Sequence, residues 1–175
     1  VSEVVFNTDG TKMFIVGTGN DRVGEYSLST AFNVSTASST ITFSVSGQES
    51  APQSMAFNND GTKMYVVGPG SDTVFQYSLS TGFNLSTASY NSVSFSVLSE
   101  TTSPQGITFN NDGTKMYIAE NSTDSVFQYS LSTAYDVSTA SYDSVSFSVS
   151  SQEGNPKSVV FNDDGTKMYI VGAGD

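Results

Sequence analysis

The sequence predicts an all-β fold, a β-propeller of four-stranded antiparallel blades stacked about a common axis, on three observations. The string Phe-Asn-x-Asp-Gly-Thr-Lys-Met recurs at Phe6, Phe57, Phe109 and Phe161, at spacings of 51, 52 and 52 residues. Self-similarity at such a period marks propellers, solenoids or arrays. Each unit holds four short apolar or alternating runs separated by Gly, Pro, Asn and Asp, the punctuation of strands and turns. No stretch keeps a helical period over several turns. Four strands in about 50 residues is the size of a propeller blade. A flat β-solenoid is the rival, but its coils are shorter and lack two hairpins per unit. A lone four-stranded sheet has two faces to cover, and stacking the next unit covers them.

The second unit gives the elements in order. Ser54–Phe57 is a short apolar strand after Pro52, a residue suited to a strand entrance because it cannot donate to a ladder. Asp60-Gly61 is the hairpin turn, since Gly tolerates positive φ. Its copies are Asp9-Gly10, Asp112-Gly113 and Asp164-Gly165. Lys63–Val67 is the second strand, broken by Gly68-Pro69-Gly70. Thr73–Leu79 is the third, with Phe75, Tyr77 and Leu79 on one face and Val74, Gln76 and Ser78 on the other. After a longer connection, Ser92–Val97 is the fourth, where Val93, Phe95 and Val97 alternate with serines small enough to let sheets approach. The division is therefore 1–50, 51–102 and 103–154 for three blades, and 155–175 for the first two strands of a fourth. About three and a half blades cannot close a ring, and the strand Lys167–Val171 is expected to present a bare edge. We read the chain as a piece of a longer array, completed by further repeats or by self-association.

Composition narrows the chemistry. The chain has no Cys, no His and no Trp. Thiolate sites, imidazole ligands and the Ser-His-Asp triad are excluded. A net charge of −11, with five Lys and the single Arg22, repels phosphate backbones, so no nucleic-acid partner is expected. No apolar run approaches the ~20 residues that span a bilayer, and no membrane insertion is expected.

Candidate sites are few. The Asn-x-Asp-Gly-Thr-Lys block resembles the opening of a Ca2+ loop, yet position twelve from Asn58 is Pro69 and strands flank it; such a loop needs Glu there. We read the block as a turn, with Lys63 and its copies beside the Asp60-type carboxylates as solvated pairs. Loops after the second and fourth strands of a blade emerge on one side. Asp21, Asp72, Asp124 and Asp175 lie in the first kind, and Glu49 and Glu153 in the second, with Glu100 one place earlier. They form a candidate acidic rim, and Ca2+ is the cation that such oxygens would hold; a soluble face without a cofactor is the alternative. Asn33, Asn84 and Asn121 stand in Asn-x-Ser/Thr sequons. Phe32, Phe83 and Tyr135, with Val34, Leu85 and Val137, are expected to anchor the long connection on its own blade. A sugar-stacking aromatic row is the alternative. Copies differ at Gly24-Glu25 against Phe75-Gln76, at Ser39 against Tyr90, and at Gly68-Pro69-Gly70 against Glu120-Asn121-Ser122. The first unit is also one residue shorter near Ser39.

The stretches beginning Phe57-Asn-Asn-Asp-Gly-Thr-Lys-Met-Tyr-Val-Val and Phe161-Asn-Asp-Asp-Gly-Thr-Lys-Met-Tyr-Ile-Val resemble the YVTN-type propeller repeats of bacterial surface-layer and lactonase-like proteins. The Gln-Tyr-Ser-Leu-Ser-Thr segments resemble tandem repeats of marine bacterial and phage proteins. The resemblance implies the fold over the whole chain and leaves activity open. From the absence of His and Cys and the likeness of the units, the expected function is a non-enzymatic structural or binding module. It would act at a cell surface, a virion or another extracellular location, through protein or glycan contacts. A lactonase-type enzyme and a lectin-like glycan binder are the alternatives.

Overall fold

The computed structural model describes residues 1–174, and for Ser39 the backbone alone. Three four-stranded antiparallel sheets and one two-stranded sheet follow one another, each in sequential strand order. The first blade comprises β1 (Glu3–Phe6), β2 (Lys12–Gly17), β3 (Arg22–Leu28) and β4 (Ala37–Ser44). The second comprises β5 (Ser54–Phe57), β6 (Lys63–Val67), β7 (Thr73–Leu79) and β8 (Ala88–Ser96). The third comprises β9 (Pro104–Phe109), β10 (Lys115–Glu120), β11 (Ser125–Leu131) and β12 (Ala140–Ser148). A final pair holds β13 (Pro156–Phe161) and β14 (Met168–Gly172). First strands β1, β5, β9 and β13 neighbour one another in turn, which places them nearest the axis of a partial propeller. Among the described residues no helix is long and apolar enough to cross a membrane.

Three strands of the second unit coincide with the sequence reading. The fourth starts earlier, at Ala88, because a single 3-10 turn, Leu85–Thr87, reverses the chain at once; Asn84 Oδ1 caps it by accepting from the Ser86 N–H at 3.1 Å. Asn33 and Asp136 cap the equivalent turns in the same way. Asn and Asp are interchangeable here because the position needs only an acceptor oxygen. The shorter first unit is explained by register. Gln76 pairs with Val93 and Tyr77 with Tyr90, a bulge in which Ser92 takes φ 60°. In the first blade Tyr26 pairs with Thr40 and Ser27 with Ser38, so the bulge there is smaller.

Alternation along each strand feeds two different interfaces. Met64, Val66, Phe75, Tyr77 and Leu79 pack against Phe14, Val16 and Val23 of the first blade. Tyr65, Val67 and Val74 pack against Met116, Ile118 and Tyr129 of the third. Both faces of the middle blade are therefore core, each fully buried apolar side chain contributing about 1.5–3 kcal/mol. The serines of β8 do not mediate this approach: Ser89, Ser94 and Ser96 are exposed at the rim, while Tyr90, Val93 and Phe95 turn inward. Edge-to-face rings join the blades instead, Phe43 to Tyr77 at 5.4 Å and Phe95 to Tyr129 at 5.6 Å.

The repeated block is a hairpin turn with an added role. Asp60 Oδ1 accepts from the Thr62 N–H at 3.0 Å and from its hydroxyl at 2.6 Å, and Asn58 Oδ1 accepts from the Lys63 N–H at 2.8 Å. These bonds hold the Asp60 carboxyl below its ordinary pKa. Asp9, Asp112 and Asp164 are held down likewise. Gly61 has φ +70°, and a Cβ there would lie 2.3 Å from the Phe83 ring, so turn conformation and ring stacking both require glycine.

Two expectations are corrected by this packing. The lysines do not pair with the turn carboxylates: Lys63 Nζ donates to the Tyr135 carbonyl of the next blade at 2.8 Å. Lys12 donates to the Phe83 carbonyl at 2.5 Å and to Glu25 at 2.6 Å. The aromatic connection likewise anchors on the preceding blade as well as its own turn. Phe83 lies 6.4 Å from Phe14 and 5.1 Å from Phe57, and Leu85 and Val137 are buried between sheets.

Candidate functional site

The loops after second and fourth strands, together with the starts of the innermost strands, gather at one end of the axis. Asp21, Asp72 and Asp124 each turn the chain into a third strand at φ 48°, 50° and 50°, a left-handed geometry that Asp tolerates better than most residues. Their carbonyls accept from the N–H groups of Val45, Val97 and Val149 at 2.9, 2.9 and 2.7 Å, tying the two loop types together. Oδ1 of each is shielded from solvent and accepts no hydrogen bond among the described residues. Burial, and then the charge of Glu49, raises the Asp72 pKa.

Glu49 is fully buried and its carboxylate is already in use. Oε1 accepts from the N–H groups of Ala51 and Gly70 at 2.8 and 2.9 Å, and Oε2 from the Ser71 hydroxyl at 2.7 Å. Glu153 repeats this, accepting from Asn155 and Gly174 N–H at 2.9 and 2.6 Å. In the loop leading into the third blade Thr101 holds the Glu49 position, and the carboxylate is relocated to Glu120 at the end of β10. Glu120 accepts from Ser122 and Thr123 N–H at 2.7 and 2.8 Å, from both their hydroxyls, and from Thr101 Oγ1 at 3.1 Å. Burial opposes ionisation, but these bonds prevail and lower its pKa. The sequence shows Glu120-Asn121-Ser122 as a difference between copies without giving its role. The coupled loss of Glu at position 101 was the signal that the carboxylate had moved. Glu100 is a separate case, its Oε2 accepting from the Tyr129 hydroxyl at 3.4 Å as Gln48 does from Tyr77. Among the described residues no group of three or more acidic side chains converges as a metal would require. Glu49, Glu120 and Glu153 each clamp a loop by accepting from its N–H groups; Asp175 lies outside the described residues.

The innermost strands add a polar row. Gln53, just before β5, Gln105 on β9 and Lys157 on β13 hold one repeat position, and Lys157 Nζ donates to Gln105 Oε1 at 2.9 Å. Gln105 Nε2 in turn donates to Ser103 Oγ at 3.2 Å. At the next position Glu3 Oε2 accepts from the Ser54 hydroxyl and the Met55 N–H, both at 2.7 Å. Ser54 Oγ accepts from the Ile107 N–H at 3.1 Å. With 1 % exposure, Ser54 is a staple between three strands and out of reach as a nucleophile. Gly106 replaces it in the third blade because a Cβ there would meet the Lys157 carbonyl at 2.9 Å.

Burial raises the Glu3 pKa above 4.5, against the lowering bonds from Met55 and Ser54. The folded chain then holds this proton more tightly than the unfolded chain, so this group's contribution falls as pH rises above about 4.5. Glu3→Gln retains an acceptor oxygen and removes the titration. Its stability relative to the native chain, followed by urea unfolding from pH 4 to 8, is expected to rise with pH. A difference that stays flat would show that Glu3 is not strained by its charge.

The fold is shared with much longer proteins. A candidate 6-phosphogluconolactonase from Bacteroides fragilis superposes with TM-score 0.67 at 15% identity, over 96% of this chain and 46% of its own. The periplasmic gluconolactonase of Pseudomonas aeruginosa gives 0.64 at 15%, over 98% and 47%. Hydrazine synthase of Kuenenia stuttgartiensis gives 0.58 at 18%, over 95% and 40%. The chain therefore spans about half the length of such structures, and these likenesses speak for fold alone. No curated protein matches the sequence. The family profile described as lactonase, 7-bladed beta-propeller, matches residues 3–173. That match overturns the expected non-enzymatic structural or binding module, which had rested on the missing His and the likeness of the units. The chain belongs to the lactonase family of seven-bladed β-propellers.

Proposed function

We propose that this chain forms part of the wall of a lactone-hydrolysing site at the axial mouth, with a cyclic ester of a sugar acid as substrate. Membership of the lactonase family carries the reading, and the Lys157–Gln105 pair supplies chemistry to it. Opening a lactone passes through a tetrahedral oxyanion, and donors held in place for that charge are commonly the largest catalytic contribution. The Lys157 ammonium, oriented by Gln105, is such a donor, and the Gln53 amide holds the same repeat position one strand further on. With no His in the chain, activation of water falls to a carboxylate or to a group elsewhere in the ring. Names among the structural neighbours, gluconolactonase and 6-phosphogluconolactonase, suggest an aldonolactone. A phosphorylated one would add a dianion for Lys157 to meet. The finer likeness to marine bacterial and phage repeats concerns origin and leaves this chemistry unchanged.

The test is proton release from glucono-δ-lactone and its 6-phosphate by the ring that carries this chain. Lys157→Ala is expected to lower kcat by about a hundredfold for both lactones, the worth of one donor to the developing oxyanion. Release no faster than the spontaneous rate with both compounds would refute the reading.

A further inference from the structure

Two charged side chains lean toward each other across the innermost strands. Glu3, on β1, reaches over β5, where its Oε2 accepts from the Ser54 hydroxyl and from the Met55 N–H on the free axial edge of that strand. Lys157, on β13, reaches the opposite way to Gln105 of β9. β5 and β9 are neighbours, and Ser54 Oγ joins them by accepting from the Ile107 N–H. The carboxylate and the ammonium are thus linked through Ser54 and the short stretch from Ile107 back to Gln105. Both heads lie over strands of the second and third blades, each of which has a sheet on either side.

Stapling alone does not call for a carboxylate. The repeat position of Glu3 holds Ser54, Gly106 and Ser158 in the other units. Ser54 caps the Ile107 N–H with a hydroxyl, and Gly106 supplies no side chain at all, yet β9 and β13 keep their places. A carboxylate buried in this role costs more than a hydroxyl would. Oε2 takes both bonds, while Oε1 accepts none among the described residues and, unlike Oδ1 of Asp72, is reached by solvent. No neighbouring charge offsets it. Lys12 sits at the far end of β2, engaged with Glu25 and the Phe83 carbonyl. Glu49, in the loop that enters β5, is committed to Ala51, Gly70 and Ser71. Burial therefore raises the pKa of Glu3 in spite of its two bonds, and the open oxygen is a stronger base than an ordinary carboxylate.

We propose that Glu3 is the general base of the axial site, an assignment that rests on the lactonase reading above. Oε1 takes a proton from the water that attacks the lactone carbonyl carbon. The new C–O bond sends the carbonyl electron pair onto oxygen, where the Lys157 ammonium meets the charge. Collapse breaks the bond between the acyl carbon and the ring oxygen, and the ring oxygen takes the proton back from Glu3, leaving the open hydroxy acid. Ser54 and the Met55 N–H are positioning groups that fix Oε2 and so aim Oε1.

The experiment is the pH dependence of kcat and kcat/KM for glucono-δ-lactone in the complete ring, corrected for spontaneous opening. The native protein is expected to lose activity on the acid side with a midpoint above 4.5, as a base with a raised pKa becomes protonated. Glu3→Gln is expected to lower kcat by about a hundredfold or more and to abolish the acid limb, with urea unfolding at pH 7 showing it folded. Glu3→Asp keeps a carboxylate, one methylene short, and should keep the limb at a reduced rate. Ser54→Ala removes a bond that lowers the Glu3 pKa and should move the limb upward by about one pH unit. A native ring that opens the lactone while Glu3→Gln keeps its acid limb would overturn the assignment and leave the lactonase reading standing. An unmoved limb in Ser54→Ala would do the same, whether or not Glu3→Gln folds. A native ring no faster than the spontaneous rate would remove the reading and the assignment together.

Discussion

Replacing Gly68 by Glu, the residue that the third blade carries at this repeat position, is expected to destabilise the chain by about 3 kcal/mol or more. A Cβ at Gly68 would lie 2.1 Å from the Ala51 carbonyl oxygen, a backbone atom that cannot swing aside. The new carboxylate would also enter a region already holding Glu49, whose oxygens are committed to Ala51, Gly70 and Ser71. Two like charges in one buried place raise the cost again. Gly172 shows the same exclusion, with Glu153 Cδ 2.5 Å from its ideal Cβ. Each clamp therefore has one carboxylate, placed either in the loop or at the strand end. Grafting the whole arrangement, Glu49→Thr, Ser50→Thr and Ala51→Ser with Gly68→Glu, Pro69→Asn, Gly70→Ser and Ser71→Thr, is expected to recover most of the loss. Urea midpoints at constant m-value measure both variants. A graft no more stable than Gly68→Glu alone would show that the two positions are not coupled.

That coupling also marks where the sequence stops being legible. Strand positions, the Asp-Gly turns and the blade period follow from local rules, because alternation and turn chemistry act over a few residues. Which neighbour a side chain serves does not follow, since a period of two looks the same for a strand covered on one face or on both. Lys63 lies next to Asp60 in sequence yet bonds a carbonyl in the following blade, and Ser54 bonds Glu3 in the preceding one. Glu120 looked like loop variation because its meaning lies in the absence of Glu at Thr101. The functional expectation failed because the missing His bears only on this stretch, which spans about half the length of the structures it resembles. Catalytic groups in a propeller converge from several blades on one axis, so composition over half a ring constrains only that half.

Equivalent residues in a stack of repeats are equivalent only when their neighbours are, and Phe32, Phe83 and Tyr135 test this. Phe32 is 60% exposed and meets the ring of Phe6 at 5.5 Å, within its own blade. Phe83 meets Phe57 of its own blade and Phe14 of the preceding one. Tyr135 meets Phe109 at 5.6 Å and directs its hydroxyl to Asn59 Oδ1 and the Asn111 carbonyl, each at 3.0 Å. Phe32→Ala is therefore expected to cost under about 1 kcal/mol, as surface changes do. Phe83→Ala should cost about 2–3 kcal/mol, somewhat less than a fully buried phenylalanine. Tyr135→Ala should cost at least as much, since it also frees Asn59 from a hydrogen bond. All three residues sit at positive φ, 59°, 55° and 58°, so backbone strain is common to the series and cancels. A double-mutant cycle between Phe14 and Phe83 isolates the contact across blades, with an expected coupling of about 0.5–1.5 kcal/mol. Equal losses at Phe32 and Phe83, or no coupling in the cycle, would mean that the aromatic connection braces its own hairpin. Cohesion between blades would then rest on the buried sheet faces, Met64, Val66 and Tyr77 against Phe14, Val16 and Val23, without the connection.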